Sequence, residues 1–94
     1  MKFKEGDIIK VVKFIPLAKG KEEVKEYKKL VGNLGKIIDT NIYWETFQGK
    51  IPLLKVEFSN IIDRDSGRFQ AEEIRFATKK EREKYEQEIV EKEI

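Results

Sequence analysis

The side chains that could do chemistry form a narrow set. Histidine and cysteine are both absent. That removes imidazole bases, thiolate nucleophiles, iron–sulfur ligation and the commonest zinc sites. Ser59 and Ser66 therefore have no histidine to activate them. Glu72 and Glu73 are adjacent, so in a strand they face opposite sides and cannot act as an acid–base pair. In Asp63-x-Asp65-x-Gly67 alternate carboxylates could converge on a hard cation. An EF-hand loop, however, needs glycine at its sixth position and a bidentate acid at its twelfth; here glycine is fifth and Ile74 twelfth. The segment reads as an Asp-rich turn. With no P-loop and no dinucleotide fingerprint either, the expectation is a chain that is not an enzyme and needs neither cofactor nor metal.

Recognition is the other chemistry available. Tyr43, Trp44 and Phe47 cluster near a glycine-containing tip at Gly49. They could pack within a hairpin whose strands outrun the body, or stand exposed as apolar anchors for another macromolecule, a use that suits large, rigid rings. Lys10, Lys13, Lys36 and Lys50 could line one face and neutralise phosphates while Tyr43 or Trp44 stacks a base.

These residues need elements to hold them. The stretch from Gly32 to Phe58 is central: Gly32-x-x-Gly35 enters a strand through Ile37 and Ile38, and Ile51 to Phe58 supplies its hairpin partner. Ahead of it, a Gly6-Asp7 turn opens a first strand through Ile15, with Ile9 and Val11 on one face and Lys10 on the other; Pro16 ends it. Between Lys19 and Val31 the period becomes helical, on Val24, Tyr27, Leu30 and Val31, with Gly32 placed as a C-cap. In the strand from Pro52 to Ser59, Leu54, Val56 and Phe58 alternate with Lys55 and Glu57. Residues 60–67 read as a turn and residues 68–76 as one or two short closing strands. Thr78-Lys-Lys-Glu81 is a capping box opening a helix to Ile94, on which Tyr85, Ile89, Val90 and Ile94 are apolar.

The 94 residues suit one domain, with a barrel over residues 1–77 and the helix of residues 78–94 appended to it. Charged residues make up 40% of the chain at a net charge of +2, so the surface is dense in both signs. Residues 1–36 hold ten lysines against five acids, while the remainder holds ten basic residues against thirteen acids. Such asymmetry either marks a basic face for an anionic partner or simply solubilises the surface. The lack of cysteine fits a reducing, cytoplasmic setting. No apolar run approaches a bilayer's span, so no membrane partner is expected.

The order Gly6-Asp7-x-Ile9-x-Val11, a long loop, Gly32-x-x-Gly35-x-Ile37, Ile51-Pro52-x-x-x-Val56-x-Phe58 and Phe69-x-x-x-Glu73-Ile74 resembles the small SH3-like barrels. Within that group it is most similar to the variable chain of ferredoxin–thioredoxin reductase and to photosystem I PsaE-type subunits. The likeness spans roughly residues 5 to 76. KOW-type domains share the same skeleton but bring the next strand sooner after Gly35. The resemblance implies a mainly β fold, a small SH3-like barrel of about five antiparallel strands, to which the residue pattern itself adds the helical insert between the first two strands and the C-terminal α-helix. It also implies a cofactor-free, non-catalytic accessory subunit that stabilises or regulates a larger protein; an inhibitory subunit would be the same kind of protein-interaction role. Trp44-Glu-Thr-Phe47 has no counterpart in those families, so Tyr43, Trp44 and Phe47 are read as the contact from their own chemistry. A KOW-like nucleic-acid binder using Lys10, Lys13, Lys36 and Lys50 is the alternative. Oligomeric state stays open.

Overall fold

The computed structural model describes residues 3–15, 21–58 and 66–93. Pro16, Ser59 and the Asp63 and Asp65 carboxylates lie outside the described residues, as do the side chains of Val24, Ile89 and Val90. The elements are β1 (Ile8–Val11), α1 (Lys21–Leu30), β2 (Leu34–Thr46), β3 (Gly49–Phe58), β4 (Ser66–Phe69), a 3-10 turn over Ala71–Glu73, β5 (Ile74–Phe76) and α2 (Lys79–Glu93). The five strands form one antiparallel sheet in the order β4-β3-β2-β1-β5. The fold is thus mainly β, with its helical insert between the first two strands and its closing helix where the sequence puts them. Among the described residues no pairing joins β4 to β5, so the sheet's two edges are open.

The alternation of apolar residues decides which face is buried. Ile9, Val11, Ile37, Val56, Phe58, Phe69 and Ile74 all sit on one side, and α1 lays Tyr27 and Leu30 across them. Phe69 is the hub, edge-on to Tyr27 at 5.3 Å and to Phe58 at 6.0 Å between ring centroids. The Tyr27 hydroxyl is satisfied as well, accepting the Arg68 N–H at 3.1 Å. Leu30 is the inward residue of the last helical turn, whereas Val31 is exposed. The helix stops one residue before Val31, so Val31 leaves the apolar stripe it was expected to join.

Three other expectations are corrected. First, β1 ends at Val11 because the Val12 and Lys13 N–H groups both turn to the Glu73 carbonyl, at 2.9 and 3.3 Å, which breaks the ladder. Second, Gly32 has φ +91° and turns the chain, but Gly35 lies inside β2. There a Cβ would collide with Val56 and meet the Glu57 carbonyl at 3.0 Å, so Gly35 serves close strand packing. Third, Ser66 and Gly67 belong to β4, not to a turn, and Glu72 and Glu73 lie in the 3-10 turn, not in a strand.

The outer face of the sheet receives α2. Thr78 and Glu81 cap it reciprocally: the Thr78 N–H donates to Glu81 Oε1 at 2.9 Å and the Glu81 N–H to Thr78 Oγ1 at 3.2 Å. Tyr85 is then buried outside the main core cluster, and burial, followed by the nearby Glu57 charge, pushes its phenol up.

Candidate partner-binding arm

Beyond Asp39 the β2–β3 hairpin leaves the body of the sheet. β1 pairs β2 only over Leu34 to Lys36, and β4 pairs β3 only over Leu54 to Glu57. The arm is therefore a two-stranded ribbon whose both edges lack a strand partner among the described residues. The register shifts twice at its base: Ile38 has no counterpart between the pairs Ile37↔Val56 and Asp39↔Lys55, and between Asp39↔Lys55 and Ile42↔Leu53 β2 carries two residues against one on β3. The Asn41 N–H closes this bulge on Asp39 Oδ1 at 2.8 Å. At the tip, Thr46 Oγ1 donates to the Gly49 carbonyl at 2.8 Å and accepts the Gln48 N–H at 3.2 Å. Gly49 takes φ +121°, which a side chain would resist.

Register assigns the aromatic residues to different faces. Trp44 pairs with Ile51, and Ile42 with Leu53, so these four share a face by the period of two. Tyr43 pairs with Pro52 on the opposite face, beside the pair Glu45↔Lys50. Lys50 Nζ stands 5.9 Å from the Tyr43 ring centroid and 3.8 Å from Glu45. Phe47 occupies the tip and is fully exposed at 111% of its reference area, against 54% for Tyr43 and 36% for Trp44. All three aromatic residues thus stand on one arm, exposed, but point in different directions.

The four lysines are not brought together. Lys10 and Lys36 lie on the outer face of the sheet, opposite the core. Lys10 is spent on Glu81 at 3.3 Å. Lys13 follows β1 on the surface. Lys50 pairs with Glu45, nine residues along β2 from Lys36, or roughly 30 Å of strand.

Two acidic residues have partners that no local pattern announces, Glu81 beyond its capping box and Glu73 altogether. Glu81 binds the Arg75 guanidinium through both oxygens, at 2.9 and 3.1 Å, as well as Lys10. The Arg75 hydrogen bonds, then the Thr78 N–H, hold its carboxyl down at about 2, below its ordinary 4.5. Glu73 is 1% exposed, and its carboxylate accepts the Ile15 N–H at 2.9 Å and the Gln70 N–H at 2.8 Å. These carboxylates tie the chain to itself. Among the described residues no group of three or more acidic side chains could hold a metal ion, and no helix is long and apolar enough to cross a membrane. What the arm offers is apolar area in rigid rings, edged by one ion pair. Comparison with protein-family models, curated proteins and solved structures finds no match to this chain.

Proposed function

We propose that this chain is a non-catalytic interaction module, an accessory, regulatory or inhibitory subunit that docks on a larger protein through the β2–β3 arm. The observation that carries this reading is the exposure of Tyr43, Trp44 and Phe47 on a projecting ribbon. Large rings held on a strand pair bury much area at low entropy cost when a partner closes over them. The lysines favour this reading over nucleic-acid binding: Lys10 and Lys50 are each matched by an acid, and the set is spread over two regions.

Kinship with the SH3-like barrels belongs to the same proposal. β4 and β5 stand at opposite edges of the sheet yet are joined by only residues 70–73, three of them in the 3-10 turn. In a flat sheet those edges would be about 19 Å apart. A 3-10 turn advances only about 2 Å per residue, so the edges must curl toward each other. Such curling supports a barrel-like body from which the arm projects.

The test is capture from a native lysate on the immobilised chain, with Trp44→Ala and Phe47→Ala as comparators. A protein held by the parent chain and lost from both variants, with their circular dichroism unchanged, is the expected result. Equal retention by a folded Trp44→Ala chain would remove the proposal. Recovery of RNA or DNA instead, with an affinity that falls log-linearly in salt, would favour the nucleic-acid reading.

A further inference from the structure

α1 carries three lysines on one strip of its surface. Lys25, Lys28 and Lys29 are three and four residues apart and all exposed, while Tyr27 and Leu30 hold the other side of the helix in the core. The strip therefore looks away from the sheet. Among the described residues none of its three ammonium groups meets an acid, whereas Lys10 and Lys50 each do. Glu26 is exposed too, but the helical period sets it to one side of the strip.

The fold does not require this arrangement. Like charges at these spacings repel and weaken a helix. Cations in the last turn gain from the helix dipole, which accounts for Lys28 and Lys29 but not for Lys25, a turn earlier. A face kept against its own repulsion suits a partner that brings the opposite charge.

We propose that this strip binds the phosphate backbone of a nucleic acid, by charge and without reading sequence. The surface is separate from the β2–β3 arm and does not rest on the reading of the arm. The three lysines span one helical turn, about 6 Å. A duplex presents one phosphate charge per about 1.7 Å of its axis, so that length carries about three. Ammonium groups meet phosphates as point charges, whereas base edges are read mainly by forked guanidinium groups or side-chain amides, and the strip has neither. Its composition also sets other partners aside. A protein interface takes most of its affinity from aromatic rings and arginines, which the strip lacks. A membrane-bound amphipathic helix lays its apolar side into the lipid, and in α1 that side is in the core.

The experiment is a fluorescence-anisotropy titration of a labelled, mixed-sequence DNA duplex across a salt series that begins low. For three phosphate contacts the slope of log affinity against log salt should be about −2.7. Lys25→Gln, Lys28→Gln and Lys29→Gln should each make it shallower by about 0.9, and the triple variant should lose most of it. Glutamine removes the charge while keeping a good helix former, and circular dichroism verifies the fold. Lys36→Gln, on the outer face of the sheet, and Trp44→Ala, on the arm, should titrate like the parent chain. The proposal is overturned if the parent chain does not bind at low salt, if the triple variant keeps most of the slope, or if either comparator loses as much as a strip variant. Polyglutamate and phosphatidylserine vesicles are titrated at the same charge concentration. Weaker binding than to the duplex is expected, and equal or tighter binding would overturn the proposal. Capture of a protein partner and its loss in Trp44→Ala are read separately, so the strip and the arm stand or fall independently.

Discussion

Glu81 shows how one side chain couples helix, sheet and solution pH. Its carboxyl titrates at about 2 in the fold against an ordinary value of 4.5. A depressed folded-state value favours the native state wherever the carboxylate is charged in both states. The stabilisation is therefore complete above about pH 4.5 and is lost as pH falls toward about 2. Chemical denaturation of the parent chain and of Glu81→Gln across this window should give midpoints that differ at neutral pH and converge in acid. Parallel curves would show that Glu81 contributes nothing through its charge. Gly35 and Glu73 make two further predictions at the same scale. Gly35→Ala introduces a Cβ against Val56 and a fixed carbonyl, and overpacking of this kind costs about 1 to 3 kcal/mol. Glu73→Ala leaves the Ile15 and Gln70 N–H groups, both half-buried, without their carboxylate, at no more than about 1 to 3 kcal/mol each, the cost of a fully buried donor. Denaturant midpoints check both.

At the scale of elements, the helices and the hairpin depend on different things. α2 begins where its capping box says it should, since a cap is local chemistry between residues three apart. Thr78→Ala should cost about 1 kcal/mol and reduce helical circular dichroism at the C-terminus before the sheet melts. α1 is held by Tyr27 and Leu30 in the core, so its stability follows the sheet. The arm is different again. Its register comes from Gly49 at the tip and the bulge near Asp39, and its distal apolar residues lie outside the main core cluster. Substitutions on the arm should therefore separate binding from stability.

For the whole molecule, that separation is the useful expectation. Trp44→Ala should leave the thermal midpoint close to that of the parent chain while weakening partner association by about 2 kcal/mol or more. Isothermal titration with the captured partner, beside a thermal melt, measures both quantities. A large drop in the melting midpoint would mean that Trp44 is part of the packing and not an anchor. The two faces of the sheet share the structural work. One face holds the aromatic hub around Phe69, and the other receives α2 through Glu81 and Tyr85.

Sequence alone determined the features that rest on neighbours in the chain: the inward row of Ile9 and Val11, the alternation of Val56 and Phe58, the Gly32 turn and the capping box. Each follows from a backbone period or from a hydrogen bond spanning three residues. Whatever depends on partners distant in the chain became visible in the fold. Gly35 looked like a turn residue because sequence cannot show Val56 lying against it. Glu72 and Glu73 looked like strand residues, and only the fold shows Glu73 turned inward to the Ile15 and Gln70 amides. Trp44 and its neighbour Tyr43 are legible as a candidate contact, and adjacency in a strand puts them on opposite faces, but which face each takes follows from cross-strand register after a bulge. A bulge resets the alternation, and nothing in the local residues announces where that reset occurs.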